Sequence, residues 1–344
     1  MLSATADLTV HGAVTSFTQS ARTSSKAAGS IICVTGCSRP VTIGVVIELL
    51  VIANGRVPRR RWWGRAEARL LTLFGNSVDI RYTRGRGDAT LIAREALERG
   101  ADWIVAAGGD GTINETLNGF FEGDRSVRPS AALSFLPCGT ANDWVRTIGC
   151  PLKLRDAIDA LPGTHPGTVD VGLARCRGQD GEICDRAFLN FAEAGVGSEV
   201  MRRIEQRRGA YLPTAVSAAF SYLPRRFDLT LDQGEAKSIG PLLSFIVASG
   251  RYFGSGIRVA PMARPDDGLL EVITLGDFSR TEILRKITKF VRGKYFDEPK
   301  VCHYSVRELA AASGDSVSLI LDGEIAGELP VTIRVAPRAL KIRS

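Results

Sequence analysis

Residues 103–119 read WIVAAGGDGTINETLNG, and this stretch decides the fold that we expect. Its apolar start predicts a buried strand, the glycines around Asp110 predict a tight loop, and the residues from Thr112 onward predict a helix. Thr112 and Glu115 have the spacing of a capping box, so the helix is expected to begin at the loop with Thr112 as its cap. A strand, a glycine loop and a helix in this order form the first half of a βαβ unit.

The same alternation continues on both sides of this stretch. Strands are predicted at 46–53, 78–83, 103–107 and 131–136, and helices at 65–74, 88–98, 112–121 and 141–148. Strands that alternate with helices of about ten residues indicate parallel βαβ units with right-handed crossovers. We therefore expect a Rossmann-like parallel sheet in an α/β domain that covers residues 45–165.

The pattern changes after residue 151, where short apolar segments are separated by Gly, Asp and Pro turns. Strands are predicted at 169–175, 187–191, 227–231, 242–248, 257–260, 269–275, 301–306 and 317–321, and helical insertions near 198–208, 213–223 and 279–292. We expect residues 166–330 to form a β-rich domain, a β-sandwich with helical insertions. Residues 331–344 are expected to complete the first domain. Residues 1–44 are expected to be a flexible tail and lead-in, with a targeting segment or a start codon assigned too early as alternatives.

Composition limits the classes of protein. The 344 residues suggest about two domains, and the excess of 44 Lys plus Arg over 37 Asp plus Glu favours an anionic partner. The seven cysteines have no CxxC spacing and the three histidines stand apart, so neither a zinc site nor a disulfide framework is expected. The apolar stretch 41–53 contains Glu48 and is shorter than the about 17–25 residues that span a bilayer. A cytoplasmic protein is expected, with a peripheral position at the inner membrane surface as its membrane-bound form.

Small and polar residues follow each predicted strand of the first domain. These loops contain Asn54, Thr83, the residues from Gly108 to Thr112, and Thr140. Ligands bind beyond the carboxyl ends of parallel strands, so the four loops are expected to face one site. Glycines let backbone N–H groups approach phosphate oxygens, and a helix that starts there points its positive end at them. Asp110 inside such a cradle suits Mg²⁺ or a substrate hydroxyl.

Two common nucleotide-binding motifs are absent from the sequence. No loop has the Gly-x-x-x-x-Gly-Lys-Ser/Thr pattern of a P-loop, and no strand is followed by Gly-x-Gly-x-x-Gly. Gly195 and Gly197 lie in the β-rich half, which is the wrong context for a dinucleotide fingerprint. These observations argue against a P-loop NTPase and against a dinucleotide oxidoreductase.

The motifs resemble those of the diacylglycerol kinase catalytic-domain superfamily, which covers soluble bacterial lipid kinases as well as sphingosine and ceramide kinases. The resemblance is carried, in order along the chain, by residues 107–119, 137–143, 188–197, 261–270 and 321–324. It implies a cleft between two domains in which the γ-phosphate of ATP is transferred to the hydroxyl of a diacylglycerol-like or related lipid.

The resemblance also implies roles for individual residues. The implied nucleotide-binding residues are Asn54, Thr83, Gly108, Gly109, Asp110, Gly111, Thr112, Ile113, Asn114 and Thr140. The implied catalytic residues are Glu324, Asp322 and Asp110, and which carboxylate is the base stays open. A Mg²⁺ ion is implied at the side chain of Asp267 and the main-chain oxygens of Arg264 and Leu269. The family usually has Asn-Pro at the end of the first strand, where this chain has Asn54-Gly55.

Two rival functions follow from the same residues. An NAD kinase-like small-molecule kinase would share Gly-Gly-Asp-Gly-Thr, whereas the Asn142-Asp143 pair and the closing Asp-Gly-Glu favour the lipid class. A catalytically silent regulator that binds membranes or nucleotides would not need Asp110, Asp322 and Glu324.

Two clusters of basic residues bear on which binding partners are expected for the protein. The helix at 279–292 carries Arg285, Lys286 and Lys289 opposite an apolar face, as expected for a helix on an anionic membrane or for a core helix with a solvated face. A lipid substrate at an anionic membrane surface is the expected partner. Arginines surround Trp62 and Trp63, but no nucleic-acid fold signature accompanies them, so no nucleic acid is expected. No obligate protein partner is evident.

Overall fold

The computed structural model describes residues 49–207, 211–235 and 237–344. The predicted tail at 1–44 lies outside these residues. The helices are α1 (Trp63–Phe74), α2 (Asp88–Glu98), α3 (Asp110–Gly119), α4 (Asp143–Thr147), α5 (Leu154–Ala160), α6 (Val196–Arg207), α7 (Tyr211–Ser221) and α8 (Arg280–Val291). The strands of the first half are β1 (Leu49–Ala53), β2 (Val78–Tyr82), β3 (Trp103–Gly108), β4 (Phe121–Glu122), β5 (Arg125–Ser126) and β6 (Ala132–Pro137).

The second half is rich in strands. These are β7 (Pro166–Arg177), β8 (Ile183–Phe188), β9 (Phe191–Gly195), β10 (Arg225–Leu231), β11 (Lys237–Ala248), β12 (Leu270–Gly276), β13 (Val301–Val306), β14 (Glu308–Ala312), β15 (Ser318–Leu321) and β16 (Glu324–Arg343). The prediction of a mixed α/β fold with a β-rich second half and three helical insertions is confirmed.

Four strands of the first half pair in parallel, in the order β2, β1, β3 and β6. Strands β1, β3 and β6 are buried along their whole length, because helices cover both faces of the sheet. Leu50 and Ile52 of β1 point into a core shared with α2 and α3. Leu49 and Val51, which point the other way, pack with α1 and α5. The carboxyl ends of these strands therefore open onto one common edge.

The strands of the second half pair with one another in antiparallel fashion, and their apolar faces enclose a further core. Strand β16 joins the two halves, because it pairs antiparallel with β7, β14 and β15 and in parallel with β6. The parallel contact is made by Lys341 and Ile342. Fourteen of the described strands are thus linked in a single branched sheet.

Helices α6, α7 and α8 lie over the outer face of β9, β11 and β12. Their contact residues form an apolar core that includes Phe191, Ile246, Phe278, Ile283 and Tyr295. Among the described helices, none is both long and apolar enough to cross a membrane. The described cysteines, which are Cys138, Cys150, Cys176, Cys184 and Cys302, are free thiols.

Some local predictions are wrong. Helix α3 begins at Asp110 after the extended residue Gly109, so Thr112 is not its cap, and the helix has no side-chain cap. The backbone turns helical as soon as it leaves the glycine pair, with N–H of Ile113 bonded to the Gly109 carbonyl. The strand predicted at 257–260 is only an isolated bridge between Phe253 and Ile257. Helix α5 was not predicted, because its seven residues are too short to show a helical period.

Candidate active site

The two glycine loops at the ends of β3 and β6 touch through their backbones. A Cβ at Gly139 would collide with the Cα of Gly109, and a Cβ at Gly109 would lie 3.2 Å from the Cα of Gly139. N–H of Cys138 also donates to the Gly108 carbonyl at 2.9 Å. Only residues without side chains permit this approach. The predicted phosphate loop and the second motif, which is residues 137–143, therefore form one continuous surface, which we call the glycine floor.

The loops after β1 and β2 are bound to that floor. Nδ2 of Asn54 donates to Oγ1 of Thr112 at 3.0 Å, and N–H of Gly55 donates to Oγ1 of Thr83 at 3.0 Å. A Cβ at Gly55 would collide with the Thr83 carbonyl oxygen, so glycine is needed at this position. The structure thus brings the predicted nucleotide residues Asn54, Thr83 and Thr112 together at the carboxyl edge of the sheet.

Asn142 and Asp143 brace the second motif. Asn142 adopts a left-handed conformation with φ of 51°, and its amide bonds back to both N–H and carbonyl of Gly139. The Asp143 carboxylate accepts from N–H of Ser255 at 3.0 Å and N–H of Gly256 at 2.7 Å. Asp143 is therefore a buried acid at this edge, and its sequence position indicated only that it belongs to a motif.

Asp110 lies beside Asp143. Oδ1 of Asp110 accepts from N–H of Trp144 at 3.2 Å, at the start of α4. Burial, followed by the negative charge of Asp143, raises the pKa of Asp110 to about 6. Burial also raises the pKa of Asp143. The site thus holds an acid whose charge is costly to the folded protein.

Asp322 lies on the two-residue turn between β15 and β16, where Asp322 and Gly323 both have positive φ, as in a type I′ hairpin. Its side chain is buried, and both carboxylate oxygens are occupied. The donors are N–H of Leu189, Asn190 and Phe191, at 2.9, 2.8 and 3.0 Å, and Nδ2 of Asn114 at 2.9 Å. Burial raises the pKa of Asp322, and these four hydrogen bonds oppose the rise. Asp322 is an anchor of the turn.

Glu324 is the less constrained carboxylate of that turn. A Cβ at Gly111 would collide with its Oε1, so the carboxylate lies directly against the glycine loop. Oε2 lies 3.3 Å from Nη2 of Arg86, and the side chain is 31% exposed. Burial raises the pKa of Glu324, and the Arg86 charge lowers it. Sequence reasoning missed Arg86, whose only signal was its position in the loop after β2.

Asp110, Asp143, Asp322 and Glu324 line one cavity of about 720 Å³, which we call the carboxylate cavity. Its opposite wall is apolar and comes from α6, α7 and the loop around Phe253. A smaller apolar pocket of about 170 Å³ lies between α6, α7, α8 and the sheet. The two share the lining residues Gly197, Tyr211 and Phe253. Charged groups and an apolar recess thus adjoin each other.

A further cavity of about 880 Å³, which we call the arginine cavity, lies on the other side of the second motif. It is bounded by Gly139 and Thr140 and by residues of α1 and α5. Its basic and aromatic lining residues are Arg60, Trp62, Arg65, Arg69 and Arg155. Of the arginines that surround the tryptophans in the sequence, Arg60 and Arg65 therefore line the same cavity as the second glycine loop, where they suit an anionic ligand.

The predicted Mg²⁺ residues lie on the loop before β12. Oδ1 of Asp267 accepts from N–H of Leu269 at 3.1 Å, and buried Asp170 holds the loop by accepting from N–H of Gly268 at 2.6 Å. Burial and the nearby charges of Glu271, Asp170 and Asp266 raise the pKa of Asp267. Acidic surroundings of this kind fit a hard cation with oxygen ligands. Within the described ranges no cluster of three or more acidic, His or Cys side chains could hold a metal, so the site depends on main-chain oxygens and stays a prediction.

Comparison with known proteins agrees with this arrangement. Residues 48–174 match the diacylglycerol kinase catalytic domain, and residues 191–344 match the YegS C-terminal NAD kinase beta sandwich-like domain. A diacylglycerol kinase of Staphylococcus haemolyticus is 30% identical over 266 residues, which are 76% of this chain and 76% of that protein. A probable YegS-like lipid kinase of Chromohalobacter salexigens is 30% identical over 257 residues, 73% of this chain and 78% of that protein.

A solved structure supports the fold. A crystal structure of a diacylglycerol kinase from Bacillus anthracis superposes with a TM-score of 0.65 at 22% identity, covering 86% of this chain and 96% of that one. The two domain models follow each other along the chain, and the relatives match about three quarters of its length. The chain therefore belongs to the family of diacylglycerol kinases and YegS-like lipid kinases.

Proposed function

We propose that this lipid kinase transfers the γ-phosphate of ATP to the hydroxyl of a diacylglycerol-like lipid. The Rossmann-like half, residues 45–165 completed by 331–344, would bind the nucleotide, and residues 166–330 would bind the lipid. The observation that carries the proposal is the shared wall between the carboxylate cavity and the apolar pocket. A lipid needs an apolar site for its chains beside a polar site for its reacting hydroxyl.

The glycine floor and the arginine cavity support ATP as the donor. The N-terminal end of α3, which has no side-chain cap, lies at the floor, and a helix start of this kind favours phosphate. Side chains at Gly109 or Gly139 would push the two loops apart and so disrupt the floor. Arg60, Arg65 and Arg69 add positive charge beside Thr140. In phosphoryl transfer such positioning and charge neutralisation supply most of the rate.

Glu324 is the proposed general base. Its carboxylate lies at Gly111, so a lipid hydroxyl at the end of the phosphate loop would be within reach. The two carboxylate oxygens of Asp322 already accept four hydrogen bonds, so this residue is proposed to position the turn. Glu324 would accept the hydroxyl proton as the lipid oxygen attacks the γ-phosphate. Asp110, half-buried next to Asp143, is proposed to act within the phosphate loop.

Mg²⁺ is proposed at Asp267 with the main-chain oxygens of Arg264 and Leu269. None of these three is among the described residues that line the carboxylate cavity. The ion would therefore act structurally, by neutralising the acidic cluster around Asp267 and fixing the loop before β12. Asp170 holds the same loop from below through N–H of Gly268, so the main-chain oxygens are presented by an ordered turn.

The test uses ATP with a labelled γ-phosphate and mixed vesicles that contain one candidate lipid at a time. Labelled phospholipid should form with a diacylglycerol, and the Asp110→Asn variant should form none. A protein that labels NAD but no lipid would be a small-molecule kinase instead. A wild-type protein that binds ATP and vesicles yet transfers nothing would be a silent regulator. Either result overturns the proposal.

A further inference from the structure

A glutamate is buried in the wall of the apolar pocket. Glu193, in the middle of β9, is 1% exposed and lines the pocket together with apolar residues of α6, α7 and α8. It stands next to Gly197, which also lines the carboxylate cavity. A buried carboxyl group is costly unless its atoms have partners, so its hydrogen bonds decide its role.

The two carboxyl oxygens of Glu193 differ in their hydrogen bonds. Oε1 accepts from N–H of Gly197 at 3.0 Å and from Oγ of Ser244. Oε2 has no hydrogen-bond partner anywhere in the part of the chain that the structure describes. A Cβ at Gly197 would collide with Oε2, so the glycine provides the space in which this oxygen stands. The pocket therefore contains one buried polar atom that is left without a partner.

The surroundings favour the neutral carboxylic acid. No described Lys, Arg or His forms an ion pair with Glu193, and an ionised carboxyl among apolar side chains is strongly disfavoured. Burial raises the pKa of Glu193 to about 7, although the bonds from Ser244 and Gly197 oppose the rise. Since Oε1 already accepts two hydrogen bonds, the proton belongs on Oε2, which then becomes a donor.

Two other polar groups of the pocket already have partners. The hydroxyl of Ser244 donates to Glu193, and the hydroxyl of Tyr295 donates to the Val259 carbonyl at 2.5 Å. A diacyl lipid that enters the pocket brings ester carbonyls, which need donors once water is removed. The O–H of Glu193, which has no partner, would be available to supply one.

We propose that Glu193 is a specificity residue whose Oε2–H donates a hydrogen bond to an ester carbonyl of the acyl chains in the apolar pocket. The inference rests on the proposed function, because it needs the pocket to hold the lipid acceptor. It adds that the enzyme distinguishes ester-linked from ether-linked acceptors, a difference that apolar contacts alone cannot make.

The test compares two acceptors of equal chain length, a diacylglycerol and the matching dialkylglycerol, which lacks the carbonyls. The measured quantity is the ratio of kcat/KM for ester over ether within each variant, which does not depend on the amount of folded enzyme. We expect the wild type to favour the ester by about tenfold. Glu193→Gln should keep the preference, because its amide N–H replaces the O–H, whereas Glu193→Leu should bring the ratio close to one.

A second variant covers the case in which Glu193→Leu does not fold. Gly197→Ala places a methyl group against Oε2, keeps the helix and should also lose the ester preference. Gly163→Ala, where a Cβ meets nothing within 4 Å, is the matched control and should keep it. Equal ratios in the wild type, Glu193→Leu and Gly197→Ala would overturn the inference, and so would loss of the ratio in Glu193→Gln. A wild type that phosphorylates neither lipid contradicts the proposed function itself.

Discussion

Asn114 in α3 and Asp322 on the turn between β15 and β16 are joined by a hydrogen bond of 2.9 Å, although 208 residues separate them in the sequence. Nδ2 of Asn114 also donates to the Ala187 carbonyl at 3.0 Å, so one amide ties the glycine-loop helix to strand β8 and to the turn between β15 and β16. The bond fixes the turn relative to the phosphate loop. Glu324, two residues further on, is thereby held against Gly111.

This arrangement separates the roles of the two acids. Glu324→Gln should lower kcat by about 10²–10⁴-fold with an unchanged melting temperature, because it removes a base that has few structural contacts. Asp322→Asn should lower kcat as well, but it places an NH₂ group against backbone N–H donors. We expect it to cost about 1–3 kcal/mol of unfolding free energy.

The measurements are steady-state kinetics, ATP affinity and thermal unfolding of both variants. ATP affinity should hold in Glu324→Gln, since the residue acts on the lipid hydroxyl. If both amides turn over normally while Asp110→Asn is inactive, the base lies in the first half of the chain.

The contact between the two glycine loops gives a second prediction. Gly139→Ala forces a methyl group into the Cα of Gly109 and should weaken ATP binding by about tenfold or more, because the backbone cannot yield cheaply. Gly64→Ala in α1 is the matched control, since a Cβ there meets nothing within 4 Å and alanine favours a helix. Equal ATP affinity in the two variants, measured by calorimetry, would remove the phosphate site from this floor.

Substitution of Asp110 is expected to have opposite effects on activity and on stability. Its pKa is raised from 3.8 to about 6 by burial and by Asp143, so the folded state binds its proton more tightly than the unfolded state does. The free energy of unfolding therefore falls as pH rises from about 4 to about 6, and the full cost is present above pH 6. Asp110→Asn should abolish kinase activity yet raise the melting temperature at pH 7.5, and the gain should vanish near pH 4. A variant that is less stable than wild type at pH 7.5 would contradict this account.

Local residue patterns explain what the sequence could predict. The glycines around Asp110 and the alternation of strands and helices are short-range signals, and they placed the loops after β1, β2, β3 and β6 correctly. The roles of Asp322 and Glu193 depend on partners far along the chain. The backbone of residues 189–191 surrounds Asp322, and Ser244 contacts Glu193. No window of sequence contains both members of such a pair, so a buried acid in β9 looked like any residue of a strand.

The Mg²⁺ site can be tested without an activity assay. Asp267→Ala removes the one side-chain ligand, so we expect added Mg²⁺ to raise the melting temperature of the wild type but not that of the variant. Asp266→Ala, at the neighbouring residue, is the matched control and should keep most of the Mg²⁺ response. If the response is the same in wild type and Asp267→Ala, the ion is not bound by this loop.

Helix α8 gives the last prediction, because its basic residues are not equivalent. Lys286 pairs with the buried Glu298, and Lys289 pairs with Glu298 at 2.8 Å and with Asp297 at 3.4 Å. Its apolar residues Ile283, Ile287 and Phe290 line the apolar pocket. Reversing both lysines to Glu should therefore lower the melting temperature by several degrees, since it leaves Glu298 facing like charges. A loss of vesicle binding in that variant would not report on membrane contact.

Arg285 is the informative position. It is exposed and adjoins Leu284, whose side chain is 57% exposed, so the two present a basic and an apolar group side by side. Basic residues near an anionic surface contribute about 1 kcal/mol each, and Arg285→Glu should weaken sedimentation with anionic vesicles by about fivefold to tenfold without lowering the melting temperature. Arg226→Glu, which makes the same change in net charge at an exposed residue of β10, is the control. Because salt screens such contacts, the difference between the two variants should shrink at high ionic strength. If both variants lose the same amount of binding, attraction follows the net charge of the protein, and α8 does not lie on the membrane.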